Sequence, residues 1–200
     1  MHEEIIFSGF GGQGALFAGQ VMTYAGMEAG WEVTWIPSYG PEMRGGTAHC
    51  TVILSDQPIG SPIIRNPTVA VVLNPESMDK YEPLVRPGGL LVVNSTLIRR
   101  PAVRDDITAV HVPANELAVQ ASGAADGSAG NSKMANVVLL GAMLAQKPIV
   151  SLEAVEKVLE ARLTGAKRRF IEPNKRALHV GAEWVLDRAV TRVAYSVGLW

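Results

Sequence analysis

Cysteine is nearly absent from this sequence of 200 residues, and the one present, Cys50, can form no disulfide within the chain. A lone thiol also cannot supply the four thiolates of a typical iron–sulfur cluster, and a reducing cytoplasm is the expected setting. There is no basic excess, since 18 Lys and Arg stand against 19 Asp and Glu for a net charge of -1. Non-specific attraction to nucleic-acid phosphates therefore has no source. The longest apolar run, Val137 to Ala145, lies between Asn136 and Gln146 and falls well short of the roughly 18 residues a membrane-spanning helix needs. The opening Met1-His2-Glu3-Glu4 lacks the basic start and apolar core of a secretory signal. His2, His49, His111 and His179 fall at no metal-ligand spacing and form no recognisable nucleophile motif. No catalytic and no metal-ligating residue is expected. Charge is scarce too: 18% of residues against the usual quarter or so predicts that another chain covers part of the surface.

What is present alternates between strands and helices. Glu4-Ile5-Ile6-Phe7-Ser8 is a short β-prone run ending at Gly9, and Gly12 to Ala29 reads as a helix with Phe17, Val21, Tyr24 and Ala25 on one stripe. Trp31 to Ile36 follows the helix-stopping Gly30 as a second strand, and Thr47 to Leu54 as a third. Thr68–Leu73 and Gly89–Asn94 are unbroken apolar runs of the kind found in parallel strands buried on both faces. A short crossover helix, Glu76 to Val85, separates them, and Ile107 to Val112 gives a further strand. After Ala114 the pattern turns helical, near Glu116–Ala121, Asn131–Gln146, Leu152–Leu163 and Pro173–Arg188. Ser122 to Ser132 reads as a flexible connection, and the tail Val193–Trp200 alternates like a strand expected to dock on a partner or on this domain. The alternation predicts an open, doubly wound, mostly parallel α/β sheet with a helical C-terminal portion.

Two helices are almost free of charge. Only Glu28 breaks Gln13–Ala29, and only Lys133 breaks Asn131–Gln146, whereas a crossover helix ordinarily shows a charged outer face. Partner chains are the expected cover, the alternative being tight packing of small residues inside this domain. Arg162, Lys167, Arg168, Arg169, Lys175 and Arg176 form a local basic cluster. It reads as a solvated face, or as a contact for an acidic partner or a nucleotide phosphate.

Gly9-Phe10-Gly11-Gly12-Gln13-Gly14 matches G-x-G-x-x-G between a strand and a helix. Glycines there permit positive φ and close backbone approach, and the amides of the helix start favour an anion; the competing reading is a tight turn and nothing more. Classical dinucleotide binding also needs an acid at the tip of the next strand. That strand ends in Pro37-Ser38-Tyr39, with Glu32 at its beginning. The surviving expectation is a phosphorylated ligand at the carboxyl edge of the sheet. The loop Pro37–Gly46 leaves at that edge and offers Arg44, whose guanidinium can take two phosphate oxygens or pair with Glu42.

These stretches carry a resemblance. Gly9–Gly14, Thr34–Ala48 with its string Ser-Tyr-Gly-Pro-Glu-Met-Arg-Gly-Gly, Pro87-Gly88-Gly89, Gly130-Asn131 and Ala135-Asn136 resemble the gamma subunit of 2-oxoacid:ferredoxin oxidoreductases over roughly residues 4 to 165. That family turns a 2-oxoacid and coenzyme A into acyl-CoA and CO2 and passes electrons to ferredoxin, using thiamine diphosphate, magnesium and iron–sulfur clusters. The resemblance implies that those groups sit on partner chains, thiamine-binding, 2-oxoacid-binding and ferredoxin-like. This chain would help bind coenzyme A through Gly11, Gly12, Gln13, Gly14, Ala15, Arg44, Asn94, Asn131 and Asn136. A helix amino terminus plus one Arg suits the phosphates of coenzyme A, and a carboxamide suits its adenine or pantetheine groups. Asn94 as a turn former and Asn131 as a helix cap are the structural alternatives. The expected organisation is one Rossmann-like domain over 1–200, strand-rich over 1–115 and mainly helical over 116–200. A stand-alone nucleotide-binding oxidoreductase and a purely structural scaffold subunit are the competing functions.

Overall fold

The computed structural model describes residues 1–40, 46–123 and 133–196, the last eight of them by backbone alone. Strand β1 (His2–Phe10) leads through the glycine turn into α1 (Ala15–Glu28), then β2 (Glu32–Tyr39) and β3 (Thr47–Ser55). Strand β4 (Val69–Val72), α2 (Pro75–Tyr81), β5 (Leu90–Asn94) and β6 (Thr108–Val112) complete the strand-rich part. Helices α3 (Ala114–Ser122), α4 (Ala135–Gln146), α5 (Leu152–Arg162) and α6 (Ile171–Ser196) follow.

The strands form a six-stranded sheet in the order β2-β3-β1-β4-β5-β6. Strands β1, β4, β5 and β6 are parallel neighbours, and β3 runs antiparallel to both β1 and β2. The sheet is thus mostly parallel, as the apolar runs predict. The buried runs of β4 and β5 feed alternate residues to two cores. Ile5, Phe7, Val69, Val71, Leu90 and Val92 face α1 and α3 to α6, whereas Ile6, Ala70, Val72, Leu91 and Val93 face Met78 and Tyr81 of α2. One long-range insertion escaped the sequence: β3 separates β1 from β2. Register matches Phe10 with Thr47 and Tyr39 with Ala48, so the β2–β3 connection emerges beside the glycine turn. Pro37 lies within β2 rather than beyond it; as β2 is an edge strand, proline costs it little pairing.

The expectation that partner chains cover the two apolar helices is corrected for α4 alone, since α1 keeps Leu16, Phe17, Gln20, Thr23 and Tyr24 only half-buried. Every residue of α4 from Ala135 to Leu144 is buried within this chain. The reason is backbone contact: a Cβ on Gly141 would meet the Leu178 carbonyl oxygen at 1.9 Å, and one on Gly181 the Val138 carbonyl oxygen at 1.9 Å. Helix α6 therefore rides directly on α4. Helix α1 buries Ala18, Gly19, Val21, Met22, Ala25 and Gly26, packed against β3 and α5.

The tail is corrected too, since α6 continues through Ser196 and Val193–Ser196 form no strand; propagating an established helix outweighs a short alternation. Residues 197–200 lie outside the described residues, as does 124–132 of the expected flexible connection. Within the basic cluster, Lys175 bonds Glu160 at 2.5 Å and Arg176 donates to the Ala121 carbonyl at 2.7 Å. Lys167, Arg168 and Arg169 occupy an exposed 3-10 turn.

Candidate functional site at the glycine turn

Strand β1 delivers the chain to the carboxyl edge of the sheet, where Phe10 to Gly14 reverses it into α1. The Gln13 amide donates to the Phe10 carbonyl at 3.0 Å, and the Phe10 amide donates to Gln13 Oε1 at 2.6 Å. Gly12 has φ 98° and Gly14 φ 82°, left-handed conformations that only glycine adopts without strain. The Gly11 amide donates to the Gly46 carbonyl at 2.9 Å, which fastens the end of the β2–β3 connection to the turn.

Helix α1 starts later than its periodicity suggests, at Ala15, with Gly14 as a cap that has no side chain to offer and no acid in the first turn. Its leading amides have no partner within the helix. Helix α4 begins with the same deficits: no side-chain cap and no acid in its first turn. The two starts meet, because Asn136 Nδ2 donates to the Gly14 carbonyl at 3.0 Å. By contrast α5 is capped by Ser151 and carries Glu153 in its first turn. Among the described residues, two helix starts that lack a side-chain cap and a first-turn acid thus converge on one turn, the arrangement that favours an anion.

Among the described residues three buried side-chain polar atoms lack a hydrogen-bond partner, and two belong to residues singled out from the sequence: Asn94 Oδ1 and Asn136 Oδ1. The orientation of Asn136 is set by the Gly14 carbonyl, which can only accept. Its Oδ1 is therefore an acceptor awaiting a donor, an expensive condition for a residue 3% exposed. Asn94 is 1% exposed and shares the parity of Leu90 and Val92, towards the side of α1 and α4. Its Nδ2 donates to Asn115 Oδ1 at 3.0 Å, while its carbonyl accepts from the Leu97 amide at 3.2 Å and the Ile98 amide at 2.9 Å, so it also opens the strand-end turn that the structural alternative expects. Gly11, Gly12, Gln13, Gly14, Ala15 and Asn136 come together at the turn, and Asn94 ends a strand two places from β1 on the same edge. Arg44 and Asn131 lie outside the described residues.

A hollow of about 250 Å³ opens at the turn, lined among others by Phe10, Gly11, Gly12, Gly14, Tyr39 and Thr47. That is below the about 300–1,000 Å³ which encloses a whole small ligand, and it suits one end of a larger molecule. A larger hollow of about 520 Å³ lies where α1 ends and α5 begins; it has no glycine turn and no orphaned amide, so size does not select the site. Tyr39 and Thr47 were not singled out as binding residues, because their approach to the turn depends on β3 pairing with both β1 and β2.

The residues fit an anionic ligand and do not fit a cluster or a metal. Cys50 is fully buried against the Ala15 carbonyl. Burial pushes its thiol up to about 12, against a weaker opposing pull from nearby polar groups, so it supplies no thiolate. Among the described residues no group of three or more His, Cys, Asp or Glu could hold a metal ion. No described helix is long and apolar enough to cross a membrane.

Dinucleotide binding loses its geometry as well as its acid. The strand whose tip would carry that acid is normally the parallel neighbour of β1, and here β3 stands between them.

The pattern of the pyruvate ferredoxin/flavodoxin oxidoreductase family matches residues 4–184. The chain belongs to that family. It is 37% identical over 183 residues to the ketoisovalerate oxidoreductase subunit VorA of Methanothermobacter thermautotrophicus, covering 90% of this chain and 36% of that protein. It is 34% identical over 161 residues to the 2-oxoglutarate synthase subunit KorC of Methanocaldococcus jannaschii, covering 80% of this chain and 82% of that one. The chain therefore spans about a third of the VorA protein and most of KorC. The crystal structure of a keto/oxoacid ferredoxin oxidoreductase gamma subunit from Geobacter sulfurreducens superposes with a TM-score of 0.78 at 33% identity, covering 94% of this chain and 98% of that one. The gamma-subunit resemblance read from the sequence is borne out.

Proposed function

We propose that the chain acts as the gamma subunit of a thiamine-diphosphate-dependent 2-oxoacid:ferredoxin oxidoreductase, converting a 2-oxoacid and coenzyme A to acyl-CoA and CO2. Its own contribution is part of the coenzyme A site together with assembly of the complex. The convergence of two uncapped helix starts on the glycine turn, with Asn136 Oδ1 buried and unpartnered beside it, carries this reading. The amides of α1 receive phosphate oxygens, and Asn136 Oδ1 accepts from an N–H or O–H of the same ligand. Arg44 adds a cation, and Asn94 and Asn131 add polar contacts further along the ligand. A related fold, the 2-oxoglutarate:ferredoxin oxidoreductase of Magnetococcus marinus, was solved with coenzyme A bound, which agrees with this choice among phosphorylated ligands.

Carbon–carbon cleavage and electron transfer belong to thiamine diphosphate, magnesium and iron–sulfur clusters on the partner chains, with ferredoxin as acceptor. The chain itself, one domain over residues 1–200, holds no complete active site and works in the cytoplasm, away from nucleic acid and membrane. Affinity purification from the native host should recover thiamine- and cluster-bearing chains, with 2-oxoacid- and coenzyme-A-dependent reduction of ferredoxin or a viologen dye. In that complex Arg44→Ala should raise the KM for coenzyme A without dissociating the subunits. A lone stable chain, or an Arg44→Ala complex with normal acyl-CoA formation, would sink the reading.

A further inference from the structure

The glycine turn has a support that the sequence pattern does not reveal. Within Gly9–Gly14 only Phe10 and Gln13 carry side chains beyond hydrogen, and Gln13 turns inward. Its Oε1 accepts from the Phe10 amide at 2.6 Å and from Asn74 Nδ2 at 3.3 Å. The carboxamide lies so close to the turn that a Cβ on Gly9 would meet it at 2.7 Å. Asn74 stands just beyond β4, 1% exposed, and its Oδ1 accepts from the Ser77 amide at 2.8 Å. Both carboxamides have their polarity dictated by backbone N–H groups, which can only donate. Asn74 must therefore present Nδ2 to Gln13, and Gln13 must receive it on Oε1. Two further bonds hold the same seam, from the Leu73 amide to the Ser8 carbonyl at 2.9 Å and between the Ser8 and Ser77 hydroxyls at 2.9 Å.

We propose that Asn74 is a positioning residue for coenzyme A: through Gln13 it fixes the shape of the glycine turn, and so the aim of the amides that receive phosphate. This rests on the coenzyme A reading above. Asn74 does not line the hollow at the turn; what it sets, through Gln13, is the pre-organisation of the turn, and a turn already shaped for its ligand loses less on binding.

The test uses the assembled complex. Asn74→Asp keeps the oxygen that caps α2 but replaces the donor with a carboxylate oxygen facing Gln13 Oε1. The KM for coenzyme A should rise about fivefold to tenfold, as expected for one hydrogen bond and the repulsion that replaces it. The KM for the 2-oxoacid should stay put, and kcat at saturating coenzyme A should hold. Gln13→Met removes the shared acceptor while keeping the chain length. It should give the same coenzyme A effect, non-additive with Asn74→Asp, and it carries the test alone if Asn74→Asp fails to fold. Ser77→Ala breaks only the hydroxyl tie and should lower Tm with the coenzyme A KM unchanged. The proposal is overturned if Arg44→Ala raises the coenzyme A KM while Asn74→Asp and Gln13→Met leave it untouched, or if these two variants lower all rates and Tm together. If Arg44→Ala, Asn74→Asp and Gln13→Met all leave it untouched, the coenzyme A reading itself fails.

Discussion

The two edges of the sheet handle their polar groups in opposite ways. At the amino edge charges are answered within the chain: Lys147 bonds Glu3 at 2.5 Å, Arg86 pairs with Glu4, and Thr68 Oγ1 donates to Glu3 at 2.6 Å. Further along that edge Glu82, 1% exposed, receives Arg100 at 2.7 Å and the Val103 amide at 2.5 Å. At the carboxyl edge the described turn carries carboxamides and glycines in place of carboxylates, and two amide oxygens stay unanswered. One edge is closed upon itself and the other keeps donors and acceptors in reserve. A strong internal ion pair is a poor guide to function here; unsatisfied neutral groups are the better one.

Breaking the open edge should have the largest effect. Gly14→Val places a branched side chain at φ 82°, with its Cβ 2.5 Å from Asn136 Nδ2. We expect a loss of about 2–4 kcal/mol of stability and, in whatever folds, a coenzyme A affinity down by more than tenfold, read by thermal melting and ligand titration. Breaking the closed edge should cost stability without touching the ligand. Glu82→Gln removes the charge that holds Arg100 and should cost about 1–3 kcal/mol, with the KM for coenzyme A unchanged; a changed KM would erase the contrast.

Acid should act on the same group. Burial pushes the Glu82 carboxyl up, but bonds from Arg100 and from the Val103 and Arg104 amides outweigh it and hold its pKa below 4.5. Since the folded pKa is depressed, this stabilisation is full above the unfolded value and fades as pH falls through the folded one. Glu82→Gln should therefore flatten the decline of Tm below about pH 4.5. Lys147→Met, which opens a pair whose lysine is one-third exposed, should cost under about 1 kcal/mol.

The smallest effect should come from His49 and His111, whose pKa values are lowered from 6.5, in both by burial first; Lys80 adds to it for His49 and Glu82 opposes it for His111. The unfolded chain binds protons first as pH falls, so stability should decline below about pH 6.5. Replacing both residues by Gln should reduce that slope in pH-dependent melting.

What the sequence makes legible is what local chemistry decides. The apolar runs of β4 and β5 identify buried parallel strands, and the glycine turn is found because a strand must end and a helix begin there. Missing from that reading is everything set by partners far along the chain. Nothing in Thr47–Ser55 says that it pairs with β1 as well as β2, and so separates them. Helix α4 reads as a surface seeking another chain because its cover, α6, touches it from about forty residues further along and reaches it through glycine backbone. Of the site, Gln13 is legible by position but not by direction: a motif does not say that its carboxamide points to Phe10 and Asn74. Asn74 itself looks like any helix cap, since its second bond joins residues sixty-one apart.

The crossing of α4 and α6 turns one end of the domain into a lever for the other. Asn136 sits five residues before Gly141, about 7.5 Å along the axis at the usual rise, and Gly141 is where α6 bears on α4. No residue of α6 lines the hollow at the glycine turn, yet the height at which α6 seats against α4 sets where Asn136 stands over Gly14. A side chain added at Gly181 would press on the Val138 carbonyl, two residues along the helix from the amide that holds Gly14.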